Sequence, residues 1–284
     1  MPEIGNKIER ADIDLIDETF DISQSENYHL SIQTGQDRLT FCVLNTVIKK
    51  YIVLRSYRLS KIDISLSATI VNACRAIFEK DDLLGLRYKS SSFLWVSPRS
   101  TLVPEEFFRH NAATDYLAFN HGTAADEHAL QNHIKSAKLH NIFSYPKALI
   151  SLLQLYRPNI KLFHHATTII ENIVADSKNN MAVHFYTDHI DVIAVKNGNL
   201  QYYNTFRINA VDDAVYYFTL VANMLKTDMQ SIKLVVLGKS NEAFDGFVGR
   251  VVESEPLDAI TYSHYISEQY RKEYINLFNL YGCV

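Results

Sequence analysis

The sequence predicts an α/β protein that carries one unit twice, with the order strand-strand-strand-helix-strand. Three observations predict it. Short β-branched and aromatic runs bounded by turn residues recur in residues 28–97 and again in residues 181–237. A segment with apolar residues at helical spacing holds the same place in both regions. Shifting the first region by 153 residues lays Thr34 on Thr187, Leu39 on Val192 and Val47 on Leu200. Few identical residues coincide, so the repeat rests on the order and spacing of elements.

The first 26 residues hold eight acids and two bases, a net charge of −6 within a chain of −4. Such a block reads as a solvated extension, or as a segment that docks on a basic surface through Ile13, Leu15, Ile16, Phe20 and Ile22. The alternation there is too short to assign a strand. Residues 28–33 alternate, with Leu30 and Ile32 on one face. Residues 39–44 place Leu39, Phe41 and Val43 together, and residues 47–57 form a long third strand. Thr34-Gly35-Gln36-Asp37 and Asn45-Thr46 supply the turns. Asp63 or Ser65 caps a helix through Leu66, Ile70, Ala73, Cys74 and Ile77, and residues 92–97 make a fourth strand.

In the second region, residues 181–187, 190–196 and 200–208 read as strands, with the strong hairpin signal Asn197-Gly198 between the last two. Asp212 or Asp213 caps a helix through Val215, Phe218, Val221, Ala222 and Leu225, and 232–237 is a buried strand ending at Gly238. Each region continues in the same way. Pro146 starts a helix, followed by a strand at 160–164 and a helix at 166–174. A helix at 242–248 precedes a strand at 250–252 and a helix at 263–280. Residues 98–145 are polar, loop-like and histidine-rich, and read as an insertion. The expected organisation is an acidic extension (1–26), a first half (27–177) with that insertion, and a second half (178–284).

Composition narrows the function. Only 9 of 284 residues are glycine, about half the usual share, which leaves little material for glycine-rich phosphate loops. The net charge of −4 gives no basic field for nucleic acid. Cys42, Cys74 and Cys283 form no CxxC pair or disulfide framework, which fits a reducing compartment. Neither a signal-peptide core nor a run of about 20 apolar residues is present. The expectation is a cytoplasmic protein without a membrane span.

Two copies of β-β-β-α-β-α-β-α resemble the ribonuclease H-like halves of the actin, heat-shock chaperone and sugar-kinase superfamily. The resemblance covers residues 24–284 apart from the insertion and lies in element order rather than in motifs. It looks closest to the reduced branch that includes actin-like proteins of pilus assembly and the cytoplasmic domain of a secretion protein. It also resembles an uncharacterised bacterial family assigned this fold. The resemblance implies two halves around a cleft, where active members bind ATP with a metal. Active members carry roughly Asp-x-Gly in the first hairpin; here the stretch is Gln33-Thr34-Gly35-Gln36. A neutral amide at Gln33 lacks the hard anionic oxygen that Mg²⁺ prefers. The second hairpin of active members reads Asp-x-Gly-x-Gly; here it is Tyr186-Thr187-Asp188-His189, without glycine. The adenosine loop usually carries Gly-Gly; here it is Gly238-Lys239-Ser240. The resemblance therefore implies a kept fold and a lost ATPase. Thr34, Gly35, Gln36, Thr187, Asp188, His189, Gly238, Lys239 and Ser240 are the expected remnants of the cleft loops.

Other chemistry finds less support. Gly238-Lys239-Ser240 ends like a P-loop, but Lys233 stands where the pattern's first glycine belongs. The alternative there is a plain strand-to-helix turn capped by Ser240 or Asn241. Asp188 could replace a lost carboxylate, or bond local groups as a turn residue. His110, His121, His128, His133 and His140 cluster in the insertion without metal-binding spacing. His164 and His165 are expected on opposite faces of a strand end, so no metal residues are assigned. Cys42 and Cys74 fit small core positions. Tyr262, Tyr265, Ile266, Tyr270 and Leu277 form a stripe that suits a core seam or a partner surface. The expected function is a non-catalytic, pseudo-ATPase binding or scaffold module with no cofactor and a protein partner, and a homodimer is one possible assembly. The alternative is a divergent ATP-binding protein using ATP and Mg²⁺.

Overall fold

The computed structural model describes residues 10–35, 37–59, 67–122, 124–176, 180–248 and 260–284. Gln36, the expected caps Asp63 and Ser65, and the expected strand at 250–252 lie outside them.

The chain begins with β1 (Ile13–Ile16), β2 (Tyr28–Thr34), β3 (Arg38–Asn45) and β4 (Lys50–Arg58). Helices α1 (Ser67–Lys80) and α2 (Asp82–Gly85) lead to β5 (Ser90–Trp95). Next come β6 (Ser100–Pro104), α3 (Ala113–His121), β7 (Glu127–Ile134) and β8 (Leu139–Pro146). Helix α4 (Lys147–Tyr156), β9 (Lys161–His164) and α5 (His165–Ala175) follow. The later elements are β10 (Asn180–Phe185), β11 (His189–Lys196), β12 (Asn199–Arg207), α6 (Asp213–Met224), β13 (Lys233–Gly238) and α7 (Glu242–Val248). The C-terminal segment carries β14 (Thr261–Tyr262), α8 (Glu268–Glu273) and α9 (Ile275–Asn279).

Strands β2, β3 and β4 form an antiparallel meander, β5 runs parallel beside β2, and β9 runs parallel beside β5. The second sheet repeats this arrangement. Strands β10, β11 and β12 form the meander and β13 runs parallel beside β10. Strand order and direction agree in the two sheets, which is consistent with a duplicated α/β fold. Asn197 and Gly198 have φ of 52° and 71°, the left-handed conformation that a tight hairpin requires and that Asn-Gly accepts at low cost.

Alternation explains how both faces of the first sheet are buried. Leu30, Ile32, Leu39, Phe41 and Val43 pack with Ile70, Cys74 and Ile77 of α1 and Leu149, Leu152 and Leu153 of α4. The opposite face places Cys42, Leu44, Tyr51 and Leu54 against Ile266, Tyr274, Leu277 and Phe278 of the C-terminal segment. Each fully buried large apolar side chain contributes about 1.5–3 kcal/mol. The tyrosine stripe is thus largely core, although Tyr265 is exposed. Strand β14 pairs parallel with β4, so this segment joins the first sheet. The single helix expected over 263–280 is instead α8 and α9, broken at Tyr274, whose φ of −111° and ψ of 27° are not helical.

Other expectations need correction. The third strand starts at Lys50, not at residue 47, because Asn45 accepts the amides of Val47 and Ile48 in a turn. Residues 13–16 are a strand after all, paired antiparallel with β4. Asp12, Asp14 and Asp17 lie 2.6, 2.8 and 2.9 Å from Arg38, Arg55 and Lys50. The described part of the acidic segment therefore docks on basic residues of its own chain. The loop-like insertion instead holds a three-stranded antiparallel sheet in the order β6-β8-β7, with α3 against it. Val103, Leu117 and Ile142 form its small core. No helix among the described residues is long and apolar enough to cross a membrane.

Candidate functional site

A cavity of about 440 Å³ lies where the first hairpin, between β2 and β3, meets the second, between β10 and β11. Gln33, Gly35, Asp37 and Arg38 line it from one side. Thr187, Asp188, His189, Gly238 and Lys239 line it from the other. Parallel pairing of β10 with β13 is what puts the Gly238 turn beside the second hairpin.

Thr34 is buried behind the first turn, and its hydroxyl donates to the Arg38 carbonyl at 3.1 Å. The Gly35 amide donates to the same carbonyl at 3.2 Å. A side chain at Gly35 would stand 3.3 Å from the Val96 Cβ, so Val96 already narrows that approach. In the second turn the Tyr186 amide donates to the His189 carbonyl at 2.9 Å. Asp188 turns its carboxylate onto His189 Nδ1 at 2.7 Å. Gly238 has a φ of 77°, and a side chain there would overlap the Phe185 carbonyl. Ser240 lines a neighbouring depression of about 490 Å³ with Glu268 and Lys272. Asn241, rather than Ser240, caps α7 by accepting the Phe244 amide at 2.9 Å. Six of the expected residues thus share one cavity: Gly35, Thr187, Asp188, His189, Gly238 and Lys239.

The structure adds residues the sequence reading did not single out. Asp37, Arg38, Glu273 and Tyr274 line the same cavity. Tyr186 stacks between His184 and His189, with ring centroids 4.3 and 4.5 Å away. Behind them lies a buried polar cluster. Asp191 is fully buried on β11 and accepts the Thr205 hydroxyl at 2.6 Å. Its other carboxylate oxygen lies 3.0 Å from His165 Nε2. Burial pushes the Asp191 pKa up, but His165 and His189 outweigh it and hold the carboxyl well below the usual range. His165 and His164 lie side by side, with centroids 4.2 Å apart, so the expected separation on opposite faces does not hold. The cause is the break at this point, where β9 ends at His164 and α5 begins at His165. Burial lowers the pKa of His184 to about 3. The one sequence signal for this cluster is Asp191 inside an apolar strand run, where an acid needs partners.

The remaining candidates stay apart from the cavity. His110 and His140 pack on Phe108 of the insertion, and His133 stacks on His140. Cys42 and Cys74 are buried, and burial raises the Cys74 thiol to about 12, so neither is an activated thiolate.

Among solved structures, a Bacteroides thetaiotaomicron protein described as having an actin-like ATPase fold and unknown function matches with a TM-score of 0.78 and 22% identity. The match covers 94% of this chain and 100% of that one. The PilM-PilN type IV pilus biogenesis complex gives a TM-score of 0.51 at 9% identity, covering 90% and 98%. The ethanolamine utilization protein EutJ from Carboxydothermus hydrogenoformans gives 0.47 at 9%, covering 89% and 88%. No curated protein matches the chain. The fold is the actin-like ATPase fold. A family model described as a protein of unknown function, DUF3822, matches residues 17–247, and the chain belongs to that family.

Proposed function

We propose that this protein is a non-catalytic module of actin-like fold that works by binding another protein. The observation that carries the reading is the second hairpin. A phosphate-binding loop needs bare backbone amides and a free carboxylate. Here Tyr186 fills the loop with a ring stacked on two histidines, and Asp188 is engaged by His189. In the first hairpin an amide, Gln33, stands at the strand end where active members carry an aspartate. Both hairpins thus depart from the pattern with which active members hold Mg-ATP, which supports the non-catalytic reading. A neighbour of the same fold, PilM, is solved with a second protein, PilN, which supports a role in assembly.

The second reading is a divergent ATP-binding protein. It is favoured by Gly35, Gly238 and Lys239 lining one cavity together with Arg38. Calorimetric titration with ATP and Mg²⁺ separates the two readings. The binding-module reading expects no saturable heat at millimolar ATP. Saturation in the micromolar range would overturn it in favour of the second reading.

A further inference from the structure

We propose that His165, His189 and Asp191 form a site for one divalent transition-metal ion of the zinc class, at the floor of the cleft. Each residue offers one ligand atom, and the three atoms lie within 4.8 Å of one another. All three residues are buried. His189 Nε2 lacks a hydrogen-bond partner, and His165 Nε2 and Asp191 Oδ2 face each other beside it. A buried polar atom left without a partner costs about 1–3 kcal/mol, so the His189 nitrogen requires an explanation.

The His165–Asp191 contact points the same way. The two atoms are 3.0 Å apart, a separation that two ligands of one cation also take. The surroundings hold two of the three ligands in place. The Asp188 carboxylate lies 2.7 Å from His189 Nδ1, which fixes the ring proton on Nδ1 and leaves Nε2 as a lone pair. Thr205 donates to the Asp191 oxygen that faces away from His165. Binding has one local cost. The Ser97 amide donates to His165 Nδ1 at a long 3.3 Å, and a metal on Nε2 moves the ring proton to Nδ1 and opens that contact.

Two imidazoles and one carboxylate suit Zn²⁺ and its first-row neighbours better than Mg²⁺ or Ca²⁺, which favour all-oxygen sites. His189 lines the cavity as well as the cluster, which places the cluster directly behind the cleft wall. The site shares His189 with the second hairpin, while His165 and Asp191 lie behind it, and it stands whether or not the binding-module reading does.

The test uses the full chain, stripped with chelator and titrated with Co²⁺ and then with Zn²⁺. The site predicts visible Co²⁺ absorption that saturates at one equivalent and is abolished by Zn²⁺. His189→Ala is expected to weaken binding at least tenfold, and His189→Gln serves if the alanine variant does not fold. His140→Ala, in the exposed histidine group of the insertion, is expected to bind as the parent does. Absence of both a Co²⁺ spectrum and a Zn²⁺ binding heat in the folded parent would overturn the proposal. So would binding that survives His189→Gln and disappears in His140→Ala.

Discussion

The two hairpins that face the cleft share a topology and differ in what fills them. The first, residues 34–38, is closed by backbone and by the small residues Thr34 and Gly35, with Val96 against it. The second, residues 186–189, is packed with rings, Tyr186 lying between His184 and His189. Equivalent strand pairing therefore sets where each loop sits, while its side chains set what it can hold. The second hairpin has been turned inward, toward the buried cluster of His165 and Asp191.

Acid gives the largest expected effect, because it reaches a buried histidine in each of the two sheets. Burial, assisted by the Lys161 charge, holds His29 of the first sheet at a pKa of about 4. Burial holds His184 of the second sheet at about 3. Both rings stay neutral in the fold and titrate near 6.5 in the unfolded chain. Their contribution is therefore complete above about pH 6.5 and is lost as the pH falls toward 4 and then 3. Thermal melts from pH 7 to pH 4 should show a loss of up to roughly 5 kcal/mol. Constant stability down to pH 4 would mean that these rings are not held neutral.

Gly238→Ala comes next and acts on the turn after β13, beside the second hairpin. The left-handed conformation costs a side chain about 1–2 kcal/mol. Overlap with the Phe185 carbonyl adds to that, for an expected loss on the order of 3 kcal/mol in urea denaturation. Gly35→Ala is the smallest. Its side chain meets only Val96 at 3.3 Å, and the same urea curves should shift by less than about 1 kcal/mol. Equal losses at the two glycines would mean that the two turns tolerate a side chain alike.

Much of the fold was legible in the sequence because it is encoded locally. Leu39, Phe41 and Val43 alternate onto one core, and Asn197-Gly198 takes the turn its chemistry favours. What escaped was set by partners distant in the chain. Strand β1 is only four residues long, and its extended form depends on the β4 edge and on Arg38, Arg55 and Lys50. Strand β7, Glu-His-Ala-Leu-Gln-Asn-His-Ile, is polar and forms a strand through pairing with β8 rather than through periodicity. Packing of the C-terminal segment on the first sheet joins residues more than 200 positions apart. The site divides in the same way. The turn residues of the cavity could be found by laying one repeat on the other. The approach of His165 to Asp191 could not, because it arises where α5 leaves the first sheet and runs against the second.

Hydrogen exchange at residues 34–38 and 186–189, with and without millimolar Mg-ATP, tests the central claim most directly. The account predicts unchanged amide protection in both hairpins. Joint protection of the two hairpins by Mg-ATP, as expected of loops that close on phosphates, would contradict it.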